Sequence, residues 1–240
     1  MKIGQLRFGK ASPSFGISNN LLKIIAMISM ACDHVGKGLF PSWTWLQMIG
    51  RLAFPIFAYM IAEGCRHTKH KWRYFLHLAV LGVGCQLVYF LVMDSLYMNI
   101  LITFSISILL IYAIAFFQKK RSVASFLLAV LVFAAAFFLA DGIERILPGS
   151  GYQLDYGFYG VLFPVVIYCL PNAISKLLGT AAMIGARIVV SGGIHWYGLC
   201  ALPLLLLYNG ERGKYRLKYL FYIFYPLHLV LIYLLQMLLH

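Results

Sequence analysis

Nine apolar stretches, at about 21–40, 48–65, 73–93, 98–117, 122–140, 156–171, 177–193, 195–208 and 219–239, take up most of this chain, and its charges fall in short clusters mostly between them. Each stretch runs roughly 14–22 residues, against the ~20 a helix needs to cross a hydrocarbon core. Backbone immersed in lipid must satisfy its own N–H and C=O groups, so such segments fold as helices. The expectation is an all-α, polytopic transmembrane helix bundle of about nine spans. The sixth to eighth stretches are short or closely spaced, so one of them is expected to be broken or re-entrant.

Charge sets the orientation. The chain carries a net +13, yet its basic residues sit in short loops, which argues against nucleic acid as a partner and for topology signals and anionic headgroups or phosphates. Lys2, Arg7, Lys10 and Lys23 precede or open the first span. Arg66, Lys69, Lys71 and Arg73 follow the second, and Lys119, Lys120 and Arg121 the fourth. Lys176 follows the sixth; Arg212, Lys214, Arg216 and Lys218 follow the eighth. The intervening loops hold only Arg145. The positive-inside rule then places the N-terminus in the cytoplasm. Residues 1–20 read as a cytoplasmic tail and 21–240 as one transmembrane domain, with 141–155 as its longest loop. The first span carries an Asp-His pair and no small-residue cleavage site, so it reads as a retained helix. The five cysteines form no CxxC pair and read as small buried hydrophobes. No metal site is expected; the His67/His70 pair lacks a nearby third ligand. Trp43, Trp45, Trp72 and Trp196 read as interfacial belts.

Ionisable groups inside apolar spans cost roughly 2.5–3.5 kcal/mol at the helix centre, so each needs a reason to be there. Asp33 and Lys37 are i,i+4 neighbours able to neutralise each other, a purely structural role. Lys23 and His34 are eleven residues apart, three turns plus a small rotation, so they share one helical stripe roughly 16 Å long, with Met27 and Met30 between them. That stripe suits an elongated substrate with a charged head and a reactive tail, with His34 as general base. Asp33 points away from His34 and is better placed to hold Lys37 or Arg51. Arg51 either snorkels to the interface or reaches inward. Pro55 is expected to kink the second span. Glu63 either serves the same end of the site as Lys23 or simply caps its helix or pairs with Arg66. Asp155, Tyr156, Arg187, His195 and His228, with Lys37, suggest a polar layer in the outer half of the bundle; His228 alone would read as a packed core histidine.

These residues fall in a recognisable order. Leu21-Leu-Lys-Ile-Ile-Ala-Met27, Asp33-His34, Gly50-Arg-Leu-Ala-Phe-Pro-Ile-Phe57, Glu63-Gly-x-x-His-Thr68, Asp155-Tyr-Gly-x-Tyr-Gly-Val161, Tyr208-Asn-Gly-x-Arg-Gly213 and Tyr225-Pro-Leu-His228 resemble the TraX family over about residues 21–240. The named member of that family is the inner-membrane acetylase of conjugative F-type pilin. The family is similar in turn to OafA-like transmembrane acyltransferases, in which an Arg or Lys precedes a catalytic His by the spacing of Lys23 and His34.

The resemblance implies a bacterial inner-membrane acetyltransferase, tied to conjugation in its named member. Acetyl-CoA would be the donor, and a protein N-terminus or envelope glycan the acceptor. It implies His34 as base or transient acyl carrier, with Asp33 beside it and Arg51 on the thioester oxyanion. Donor phosphates would meet Lys23, Arg66, Lys69, Arg212 and Lys214, with Glu63 nearby, and the acceptor would meet the outer polar layer. A membrane transporter and a non-catalytic scaffold for pilus or envelope assembly stand as the alternatives.

Overall fold

The computed structural model describes residues 16–215 and 217–239. The basic residues Lys2, Arg7 and Lys10 of the expected tail, Arg216 and the Lys218 side chain lie outside the described residues.

Helix α1 (Asn19–Gly38) starts where the Ser18 hydroxyl accepts the Leu21 N–H. Helices α2 (Thr44–Gly50) and α3 (Ala53–His67) follow, broken at Arg51 and Leu52. The break sits four residues ahead of Pro55, which has no N–H to donate to the Arg51 carbonyl. The expected kink is therefore an interruption at Arg51, with Pro55 in the first turn of α3. Helix α4 (Lys71–Met93) leads to a two-residue strand β1 (Tyr97–Met98), and α5 (Ile100–Lys120) opens at Asn99, which accepts the Leu101 N–H. Helix α6 (Val123–Phe137) starts on a Ser122/Ser125 capping box and passes through a π-helical turn, Phe138–Gly142, into α7 (Ile143–Ile146). The long loop expected from residue 141 therefore begins only after Ile146. Strand β2 (Gln153–Leu154) pairs in parallel with β1. Helix α8 (Gly157–Cys169), α9 (Ala173–Ser191), a 3-10 segment (Gly193–Cys200) continued by α10 (Ala201–Leu206), and α11 (Lys218–Leu239) complete the chain.

Among the described residues, six helical runs are long and apolar enough to cross a membrane: Thr44–His67, Lys71–Met93, Ile100–Lys120, Val123–Ile146, Ala173–Ser191 and Tyr219–Leu239. Gly157–Cys169 and Gly193–Leu206 are apolar but shorter, and α1 carries Lys23, Asp33 and Lys37. Helix α3 is the hub. Phe54, Ile56, Ala58, Tyr59, Met60 and Ala62 are buried between α1, α5 and α8. By contrast α4, α6, α9 and α11 leave Leu87, Leu91, Leu131, Val189 and Leu238 exposed, an apolar exterior that water would penalise and acyl chains accept.

Two glycines let helices touch. A Cβ on Gly36 of α1 would lie 2.9 Å from Leu46 Cβ of α2, and one on Gly50 would collide with Asp33. Helix α11 runs alongside α1 in the same direction: Lys23 lies over the Phe221 ring, His34 meets His228, and Gln236 donates to the Gly38 carbonyl at 2.8 Å.

Of the cysteines, Cys65 is buried, Cys32 and Cys85 are half-buried, and Cys169 and Cys200 are exposed rather than packed inside as expected.

Candidate functional site

Polar and ionisable residues gather around two cavities ranged along α1. The first, about 690 Å³, opens at the end of the bundle where the basic loops lie. Lys23, Met27 and Met30 line it from α1, so three of the four residues of the expected stripe face a cavity; His34, the fourth, is in the lining of neither cavity. Arg73 and Arg212 add positive charge toward its mouth, His70 lines it beside them, and Met60, Leu78, Leu81 and Phe104 make its interior apolar. The second, about 480 Å³, lies toward the other end and is lined by Lys37, Arg51, Asp155, Tyr156, Arg187 and His195, with Tyr97, Asp141, Glu144 and Tyr159.

His34 stands between them on the same helix, one turn beyond Met30 of the first cavity and one turn before Lys37 of the second. Its Nδ1 is 2.9 Å from His228 Nε2, and the rings are 5.0 Å apart. His228 is buried, stacks on Phe224 at 4.7 Å, and its Nδ1 is 2.8 Å from the Phe224 carbonyl oxygen. It therefore joins His34 rather than the lining of the second cavity.

Asp33 is buried and holds two cations. Lys37 Nζ donates to one carboxylate oxygen at 2.5 Å, and Arg51 Nη2 donates to the other. Arg51 also donates through Nε to the Gln47 carbonyl at 3.3 Å, tethering it to the end of α2. Arg187 lies 5.8 Å and 5.7 Å from the Tyr156 and Tyr159 ring centroids, and its buried Nε has no hydrogen-bond partner among the described residues. Tyr156 adopts φ of +62°, an uncommon conformation for a bulky residue, and from there its ring stacks on Phe54 at 3.9 Å. The β1–β2 pairing brings Tyr97 to Asp155, whose Oδ1 accepts the phenolic O–H at 2.7 Å. Burial raises the Asp155 carboxyl above the ordinary range, partly opposed by that hydrogen bond.

Other expected residues fall elsewhere. Arg66 donates to the Tyr168 and Leu170 carbonyls at 2.5 and 3.0 Å, so it satisfies the end of α8 and does not line the first cavity. Lys69 and Lys214 are exposed and outside that lining. Glu63 lines it, but its carboxylate is bound to Lys176 and, at 3.2 Å, to His67; Arg66 is not its partner. Lys176, expected in a basic loop, is buried on α9 for this pairing. Spacing missed Tyr97, Asp141, Glu144 and Tyr159 in the second cavity and His70, Arg73 and His77 in the first. Clustered histidines at a basic helix end were the signal for the latter group. Among the described residues, no group of three or more His, Cys, Asp or Glu is arranged to hold a metal ion.

These features define a polytopic helical membrane protein whose polar residues converge on two cavities ranged along α1, with a histidine pair one helical turn along α1 from a lining residue of each. Residues 18–236 match the family described as TraX protein, and the chain belongs to that family. It is 25% identical over 246 residues to a probable fimbrial assembly protein FimC, serogroup H1, from Dichelobacter nodosus, covering 88% of this chain and 92% of that protein. A shorter match, 34% identical over 64 residues, links 27% of this chain to 25% of an uncharacterized protein of Rickettsia prowazekii. No solved structure matches.

Proposed function

We propose that this chain is a bacterial inner-membrane acetyltransferase that moves an acetyl group from acetyl-CoA in the basic cavity to an amine or hydroxyl in the second cavity. The observation that carries this reading is the position of His34, one helical turn from each cavity on a single helix. The basic cavity suits the donor in chemistry: Lys23, Arg73 and Arg212 would meet phosphates, and the Met27, Met30 and Met60 wall would accept a flexible thioester arm. The Lys23–His34 spacing supports kinship with OafA-like acyltransferases.

In this mechanism His34 accepts the acceptor's proton as its nitrogen or oxygen attacks the thioester carbonyl. A C–N or C–O bond forms, the C–S bond breaks, and the thiolate takes the proton back from the imidazolium. Arg51 has five N–H donors and commits only part of them to Asp33 and the Gln47 carbonyl, leaving donors for the oxyanion.

Nine crossings with a cytoplasmic N-terminus fit this arrangement. A helix lies at each of the nine apolar stretches. The parallel course of α1 and α11 requires an even number of reversals between them, which supports the odd count. The relative named for fimbrial assembly supports a pilin-type acceptor, with an envelope glycan as the alternative.

Two cavities ranged along one helix, the second of them lined by buried charges, also suit a transporter. Labelled acetyl-CoA supplied to membranes containing the wild type or His34→Ala separates the readings. Acceptor labelling that His34→Ala abolishes supports transfer. Solute flux in liposomes without acetyl-CoA turnover supports transport instead.

A further inference from the structure

The hydrogen bonds around His228 determine which nitrogen of His34 carries its proton. The Phe224 carbonyl can only accept, so His228 Nδ1, 2.8 Å away, must carry hydrogen. A neutral His228 then has a bare lone pair on Nε2. Among the described residues, the group facing that lone pair at hydrogen-bond distance is His34 Nδ1, at 2.9 Å. His34 must therefore be protonated on Nδ1, which leaves the lone pair on Nε2, the outer nitrogen of the ring.

We infer that His228 is a positioning residue: it locks His34 in the tautomer whose Nε2 is free to accept a proton. The inference rests on His34 acting as the base. It adds that the helix bearing Tyr225-Pro-Leu-His228 supplies the orienting partner from 194 residues away. A base whose second nitrogen is fixed by another group keeps both its ring orientation and its protonation site.

The surroundings make His228 a stiff partner. Its ring is sandwiched by packing: Phe224 stacks nearly parallel at 8°, and Tyr225 meets it edge-on at 5.6 Å. The side chain is buried, and its Nδ1 is tied back to its own helix, so the ring has one orientation in which Nε2 faces α1. Asp33, which sequence adjacency would suggest as the partner, is committed to Lys37 and Arg51.

The test uses full-length protein in detergent or nanodiscs, with ¹⁵N-labelled histidine and His34→Gln to assign the resonances. The expected spectrum at neutral pH shows His34 Nδ1 protonated and Nε2 bare. In His228→Phe, which keeps a ring and removes the acceptor, that preference is lost. In His228→Gln, whose amide oxygen can accept from Nδ1, it persists. A wild-type His34 protonated on Nε2, or a His34 tautomer unchanged by His228→Phe, overturns the inference. Activity gives a separate reading: His228→Phe should lower kcat by about 100-fold, within the usual worth of a general base, with KM for acetyl-CoA unchanged, while His228→Gln recovers most of the loss. If no acetyl transfer occurs in any variant while the spectra behave as stated, the acetyltransferase reading fails and the tautomer lock stands. His228→Gln keeps the spectral test valid even if His228→Phe fails to fold.

Discussion

The Asp33 carboxylate on α1 receives the Arg51 guanidinium from the break between α2 and α3, and this contact joins the first two apolar segments at the edge of the second cavity. Both side chains are nearly removed from solvent, at 12% and 10% exposure, so neither charge has water to fall back on. Removing one member of such a pair strands the other, which costs about 3 kcal/mol or more. Asp33→Ala is expected to lower the thermal midpoint in detergent sharply. The double variant Asp33→Asn with Arg51→Gln should recover much of the loss. A single variant as stable as wild type would show that the pair does not hold this junction.

Gly50→Ala tests the same junction without touching charge. Its new Cβ would be forced into the Asp33 side chain and backbone, so α1 and α2 must separate. The expected outcome is a loss of about 1–3 kcal/mol, typical of overpacking, measured by thermal unfolding. Gly84→Ala, inside α4 where a Cβ meets nothing within 4 Å, is the control and should be neutral or stabilise by up to about 1 kcal/mol through helix propensity.

Arg66 and Arg212 carry the same charge at the same end of the bundle but have different partners. Arg212 lines the basic cavity, whereas Arg66 caps the α8 carbonyls. If the basic cavity takes acetyl-CoA as proposed, Arg212→Gln should weaken its binding several-fold by calorimetry while leaving the thermal midpoint nearly unchanged. Arg66→Gln should do the reverse. Swapped outcomes would place the donor phosphates on the α8 side.

The Glu63–Lys176 pair predicts a non-additive double mutant. Lys176→Met leaves the buried Glu63 carboxylate, among the described residues, with His67 as its remaining ion-pair partner, whose side chain is largely exposed, and should destabilise strongly. Adding Glu63→Gln should restore stability, because a neutral amide needs no counter-ion.

Asp155 gives a pH prediction. Its carboxyl titrates above the ordinary value in the folded protein, so folding favours the protonated form. That contribution is complete at pH below the ordinary Asp value of about 3.9 and is lost as pH rises through the raised folded value. Asp155→Asn keeps an acceptor for the Tyr97 hydroxyl and cannot ionise. The wild type should therefore lose stability relative to Asp155→Asn as pH climbs from 4 toward neutrality, as read from paired thermal melts across that range. Parallel melts would assign the raised titration to another group.

Some of the site was legible in the residue order because it depends on one helix alone. Lys23, Met27, Met30 and His34 face one way because eleven residues nearly complete three turns, and that holds whatever packs beside them. Hydropathy likewise located a helix at each apolar stretch. The loop charges, however, could say only which end of the bundle is basic. They could not show that Lys176 would be buried for Glu63, that Arg66 would turn to α8, or that Arg212 would turn to the cavity. Those outcomes depend on which carbonyl or carboxylate another helix brings within reach.

By itself, then, the sequence determined the helical membrane class, the extents of most helices and the stripe on α1, because periodicity and apolar run length are local properties of a chain in lipid. Only the tertiary structure decided that His228 meets His34, that Asp33 holds two cations at once, and that a short parallel strand pair carries Asp155 to Tyr97. Those partners are far apart in the chain, and their pairing is set by how helices pack in space, which no local pattern encodes.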